Sequence, residues 1–228
     1  MKKIRSTAFV LLTFLLSGYS FGQTNDYGLN KTLINSDELS KWTFVGEGKA
    51  EKSGSQIAMQ ESDNSKGVML VSPESYSSDV VVRYKTLALS SATVLVALVS
   101  LSDPGDSENI SIPDNFDGSL GLFTNEKENY FFAFKNAPHN VTPFVRKSPA
   151  TGETIASADK NSMIAGVYYD VEIGKVQGKL WLAVDGVKLF ETEDATPLAG
   201  GHLALRIRGT AGFKAACLIK DLEIFTRN

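Results

Sequence analysis

The chain has 228 residues, 43% of them hydrophobic, and a formal net charge of −3 at pH 7 from 23 basic and 26 acidic side chains. That composition excludes a disordered, collagenous or polytopic membrane protein. A single cysteine excludes an internal disulfide framework and any zinc or iron–sulfur site built from cysteines.

Residues 1–22 have the layout of a secretory signal. Lys2, Lys3 and Arg5 form a positive start, and the apolar run 8–16 is too short to cross a bilayer of about 30 Å as a helix. Ser20-Phe21-Gly22 then supplies the small residues of a cleavage site, which predicts processing near Gly22 and Gln23. No cysteine follows the apolar run, so a lipid anchor is not expected. The expected location is the periplasm or the medium, with no membrane association after cleavage. Removing three of the 23 basic residues takes the net charge from −3 to −6. An acidic domain without a Lys/Arg cluster gives no expectation of a nucleic-acid partner.

From residue 23 onward the apolar period is two, and no stretch sustains a helical period of 3.6. Val80, Val82 and Tyr84 alternate with Val81, Arg83 and Lys85. The run 93–99 is apolar on both faces, as a covered central strand would be. A polar stretch at 103–118 with Pro104, Gly105, Pro113 and Gly118 reads as a long loop. Strands follow at 130–134, which is rich in aromatics, and around Thr142, Phe144 and Arg146. A second loop, 147–163, has room for one short strand. Val167, Tyr169, Val171 and Ile173 alternate again. Asp185-Gly186 separates two alternating runs, the signature of a type I′ hairpin. Leu203, Leu205 and Ile207 face one way, with His202, Ala204, Arg206 and Arg208 facing the other. The last strand, read as 213–225, changes phase near Lys220-Asp221, which predicts a β-bulge. About a dozen strands with essentially no helix define an all-β, antiparallel two-sheet sandwich occupying 23–228 as a single domain.

The C-terminal half resembles concanavalin A-like jelly rolls of bacterial carbohydrate-utilisation systems. The matching pieces are Tyr169-Asp170-Val171-Glu172-Ile173, Leu180-Trp181-Leu182-Ala183-Val184-Asp185-Gly186, Pro197-Leu198-Ala199-Gly200-Gly201-His202-Leu203-Ala204-Leu205-Arg206 and Ile219-Lys220-Asp221-Leu222-Glu223-Ile224. Their order is similar to the YesU-like family of unknown function and to 3-keto-disaccharide hydrolase-like domains. The aromatic run Tyr130-Phe131-Phe132-Ala133-Phe134, followed by His139-Asn140 and an Arg146-bearing strand, is similar to the YesU-like pattern. The resemblance implies a concanavalin A-like jelly roll and a carbohydrate ligand. Laminarinase-type relatives of that fold carry Glu-x-Asp-x-x-Glu on one strand face. Here Glu61-Ser62-Asp63-Asn64-Ser65-Lys66 puts a lysine in the third place, within a turn-like context, and does not supply a two-carboxylate hydrolase.

The candidate chemistry lies in two groups. His202, Arg206 and Arg208 share one strand face, and offer an imidazole and two guanidiniums to an anionic sugar. Tyr130, His139, Asn140 and Arg146 contain the types a β-elimination needs: a base, and a cation or amide that neutralises a uronate carboxylate. The candidate catalytic residues are therefore His139, His202 and Tyr130. Arg146, Arg206, Arg208, Asn140 and Trp181 are candidate sugar ligands, Trp181 by stacking. Asp221 is a candidate ligand of a structural calcium ion, and no other cofactor is implied. Two functions remain open at this point. One is an exported protein that binds and cleaves an acidic or modified oligosaccharide as a lyase or hydrolase, and the other is a non-catalytic glycan-binding or adhesion module.

Overall fold

A computed structural model describes residues 27–136, 139, 141–149 and 153–227. The chain begins with β1 (Asn30–Ile34), α1 (Ser36–Leu39), β2 (Thr43–Gly46), β3 (Gly48–Ser53), β4 (Gln56–Glu61) and β5 (Val68–Val71). There follow β6 (Val80–Ala88), β7 (Val94–Ser102), α2 (Gly121–Asn125), β8 (Glu128–Lys135), β9 (Phe144–Ser148) and β10 (Thr154–Ser157). The last third contributes β11 (Tyr168–Val176), β12 (Lys179–Val184), β13 (Val187–Glu193), β14 (His202–Arg208) and β15 (Ala216–Thr226). The signal segment 1–22 and the candidate ligand Asn140 lie outside the described residues.

The strands form two antiparallel sheets. A back sheet has the order β13-β12-β11-β6-β15-β4-β3, with β1 added against β15. A front sheet has the order β10-β9-β8-β7-β14-β5-β2. Period-two alternation puts Val82, Ile173, Leu182 and Ile224 of the back sheet against Val99, Phe132, Val145 and Leu205 of the front sheet. Each such side chain stabilises the fold by about 1.5–3 kcal/mol through the area it removes from water. The protein is thus the all-β two-sheet jelly roll expected from the alternation.

Local details follow the same logic. Asp185 and Gly186 both take positive φ, 50° and 74°, as a type I′ turn between β12 and β13 requires. In β15, Cys217 and Ile219 point inward, and after the register shift Leu222 and Ile224 do. Asp221 is the residue thrown out by that bulge, at φ 53°. Its carboxylate stands 3.5 Å from the Lys85 ammonium, which also lies 3.7 Å from Asp170. Among the described residues no group of three or more His, Cys, Asp and Glu converges. One correction concerns the start of the last strand. It begins at Ala216, and Phe213 sits in the preceding turn, strongly exposed.

The front sheet is apolar on its outer face as well, which is why 93–99 reads as hydrophobic on both sides. Val71, Leu98, Leu101 and Ala204 there form a second core with Ile110, Ile112, Phe116 and Leu120 from the 103–125 connection. That connection roofs only part of the face. The rest is open and carries the site described next.

Candidate functional site

The open part of the front sheet is a cleft of about 630 Å³. Its floor consists of Val94 and Val96 from β7, Phe131 and Ala133 from β8, and Phe144 from β9. The α2 turn supplies one wall through Leu120, Thr124 and Asn125, and His139 stands exposed at the opposite rim. Phe131 and Phe144 stack with ring centroids 6.0 Å apart, and the Arg146 guanidinium lies 4.8 Å over the Phe144 ring. Arg146 also donates from Nε to Thr154 Oγ1 at 3.3 Å, so β10 orients it from the side.

Arg206 and Arg208 reach the same cleft from β14, two residues apart on its outer face. They are in different electrostatic states. Arg208 donates from Nη1 to Glu61 Oε1 at 3.0 Å and to the Ser65 carbonyl, and is balanced by that carboxylate. Glu61 is 3% exposed and also accepts from the backbone N–H groups of Gly209 (2.6 Å) and Ala215 (2.7 Å). Arg206 is 4% exposed and, among the described residues, is held by two carbonyls, Lys66 O at 2.8 Å and Gly118 O at 2.9 Å, both through Nη2. Burial pulls its pKa down to about 10, the adjacent Arg208 charge adds to the effect, and Glu61 opposes it. The backbone closes on this guanidinium through two glycines. A Cβ on Gly67 would lie 2.2 Å from Arg206 Nη2, and one on Gly118 would lie 1.7 Å from the Gly67 oxygen.

Two buried polar atoms in the cleft have no hydrogen-bond partner among the described residues, Arg206 Nε and Ser148 Oγ. Buried donors are satisfied in the great majority of folded structures, and both of these orphans belong to residues that line the cleft. Lys66, His139, Arg146, Arg206 and Arg208 line the cleft, and no described lining residue carries a carboxylate. The arrangement is an apolar, aromatic floor ringed by cations, which fits a molecule with both a nonpolar face and a negative group.

The cleft unites Arg146, Arg206, Arg208 and His139, which the sequence placed in two separate groups. Three other candidates lie elsewhere. Tyr130 points from β8 into the inter-sheet core, fully buried, with its hydroxyl donating to Asp194 Oδ2 at 2.6 Å and accepting from Leu198 N at 3.0 Å. Burial and the Asp194 carboxylate push its pKa up, the reverse of what a base needs. His202 is on the outer face of β14 but lies beneath the 103–112 connection. Its two ring nitrogens approach the carbonyl oxygens of Ser72 (2.9 Å) and Glu108 (3.2 Å), and it is absent from the cleft wall. Trp181 is on the outer face of the other sheet, opposite Gly174, with Nε1 donating to Glu172 Oε1 at 2.6 Å and the Tyr27 ring tilted against it at 5.3 Å between centroids. Lys66, Ser148 and the α2 wall were not singled out from sequence. Their signal was slight, since a lysine in a Ser/Asn/Gly turn and a serine ending a strand look like ordinary surface.

The fold and this open sheet face define a jelly-roll domain of the galectin-like and concanavalin A-like type. A Bacillus subtilis protein of unknown function with a galectin-like fold superposes with a TM-score of 0.73 at 14% identity, covering 88% of this chain and 97% of its own. A prokaryotic β-1,3-1,4-glucanase (lichenase) from a mouse hindgut metagenome gives 0.61 at 10% identity, over 87% and 100% of the two chains. The carbohydrate-binding module CBM66 from Bacillus subtilis gives 0.54 at 14% identity, over 81% and 96%. No family model matches the sequence, and no curated protein does. Among the described residues no helix is long and apolar enough to cross a membrane.

Proposed function

We propose that the protein is an exported glycan-binding domain of the YesU-like kind, which takes an anionic oligosaccharide in the front-sheet cleft. The observation that carries this reading is Arg206: a buried guanidinium with, among the described residues, no carboxylate partner and an unbonded Nε, set in an aromatic-floored cleft. A uronate or sulfate group would supply the missing acceptor, and the C–H face of the sugar would rest on Phe144 and Phe131. Arg146 and Arg208 would flank it. A carbohydrate-binding module and a lichenase of the same fold support a sugar as ligand class. The signal-like segment 1–22 supports export to the periplasm or the medium.

A second reading is β-elimination, favoured by the exposed His139 at the cleft rim. Its imidazole would take the C5 proton of a uronate while an arginine neutralises the carboxylate, and the glycosidic oxygen would leave with its electron pair. An array of acidic and neutral glycans, followed by ultraviolet detection of unsaturated product for every hit, separates the two. Binding without product supports the binding domain. Product that disappears in His139→Ala supports the lyase. An array with no acidic hit refutes both.

A further inference from the structure

We propose that the turn at residues 209–214, with Phe213 at its tip, forms a second sugar subsite next to the cleft, so that the protein reads at least two consecutive residues of its glycan. This rests on the glycan reading above. Phe213 is 69% exposed, and every other large hydrophobic side chain exposed among the described residues is aliphatic. A single exposed apolar side chain is ordinary. This one is displayed on a turn that the fold goes to some length to hold.

The Phe213 N–H donates to the Thr210 carbonyl at 3.0 Å, and Thr210 Oγ1 donates to the Ala92 carbonyl at 3.1 Å. Both ends of the turn converge on one buried charge, because Gly209 N and Ala215 N donate to the same oxygen of Glu61. Lys214 pairs with Asp63 across the opening. A buried carboxylate spent on two backbone donors makes the turn rigid, and Phe213 is presented at a fixed place.

Beside it is a hollow of about 300 Å³ that shares Arg208 and His139 with the main cleft. Phe213 gives this hollow an apolar wall, and Ser62, Asp63 and Lys214 give it donors and acceptors. One ring face and a fringe of hydrogen-bonding groups is what a pyranose with free hydroxyls takes. The two compartments differ in charge. The cleft is cationic, whereas in the hollow Glu61 and Asp63 are balanced by Arg208 and Lys214. The subsite therefore fits a neutral sugar next to the anionic one.

The test is a binding panel of acidic and neutral saccharides, from single sugars to hexasaccharides, run on the purified protein, Phe213→Ala, Phe213→Tyr and Arg206→Gln. Phe213→Ala should weaken disaccharides and longer chains by about tenfold and leave acidic monosaccharides unchanged. Phe213→Tyr should restore the affinity, and Arg206→Gln should weaken every length. Unchanged affinity of Phe213→Ala at all lengths, with Arg206→Gln still impaired, overturns the subsite and leaves the cleft reading intact. An absence of any hit for the unaltered protein overturns both. A change from dimer to monomer on Phe213→Ala in sedimentation assigns the ring to self-association and also overturns the subsite.

Discussion

Replacing Arg206 with methionine tests whether its buried charge exists for a ligand or for the fold. A guanidinium whose pKa falls from 12.5 to about 10 is charged in the folded state at a cost of about 3 kcal/mol near neutral pH. Methionine removes that cost. It also removes the two Nη2 bonds to Lys66 O and Gly118 O, each worth about 1.5–3 kcal/mol as charge-assisted bonds. The opposing effects are of similar size, and methionine fills most of the vacated volume against Val94 and Val96. Arg206→Met should therefore shift Tm by only a few degrees in either direction, at about 2–4 °C per kcal/mol for a domain of this size. Ligand-linked stability should change far more. Added sulfate stabilises most proteins by exclusion from the surface, and that part is common to both forms. A site with bound anion adds about 2.7 kcal/mol at a hundredfold excess over Kd, and only the unaltered protein should show it. The assay is differential scanning calorimetry of both proteins over a sulfate series at constant ionic strength. Equal sulfate responses, or a fall in Tm typical of a broken structural ion pair, would refute the assignment of Arg206 to anion recognition.

Glu61→Gln supplies the contrasting case. It leaves Arg208, whose side chain is 39% exposed, without its carboxylate and weakens the hold on Gly209 N and Ala215 N, and urea unfolding should show a loss of about 1–3 kcal/mol. Asp194 links stability to acid. Burial raises its pKa, but the Lys147 ammonium at 2.8 Å and the Tyr130 hydroxyl outweigh that and hold it at about 2, below the usual 3.8. Its contribution of about 2 kcal/mol is then fully present above pH ~3.8 and is lost as pH falls through ~2. Asp194→Asn should flatten the acid limb of the stability profile, and an unchanged limb would contradict the pairing. His202→Ala removes the ring between Ser72 O and Glu108 O. Limited proteolysis should then cut within 103–112 faster, while cleft binding is retained.

The sandwich was legible because period-two alternation is a direct imprint of a two-sheet core. Val80, Val82 and Tyr84, and again Leu203, Leu205 and Ile207, all enter the inter-sheet layer as their spacing demands. The bulge at Lys220-Asp221 was legible for the same reason, since an extra residue inverts the alternation after it. The same bulge explains the positive φ of Asp221, which an aspartate tolerates. Phe213 was misplaced because alternation continues formally across Gly212 into Ala215. No pattern of polarity marks the point where pairing stops.

The site was half legible, and the limit has a physical cause. Alternation states which residues share a face of one strand but does not state which face of which sheet stays open. Tyr130 and Arg146 are on neighbouring strands, β8 and β9, and point to opposite sides of the same sheet. His202 and Arg206 are on the same side of the same strand, four residues apart. What divides them is the 103–118 connection: Ile110 and Ile112 cover the His202 end, and Gly118 passes close enough to Arg206 to accept a hydrogen bond while its buried Nε has no partner among the described residues. The path of one loop over a sheet decides which of two chemically attractive residues becomes packing and which can meet a ligand. That path is set by three-dimensional packing of Ile110, Ile112 and Phe116 against β5, β7 and β14. Spacing along β14 therefore pointed to both residues, and the loop selects Arg206.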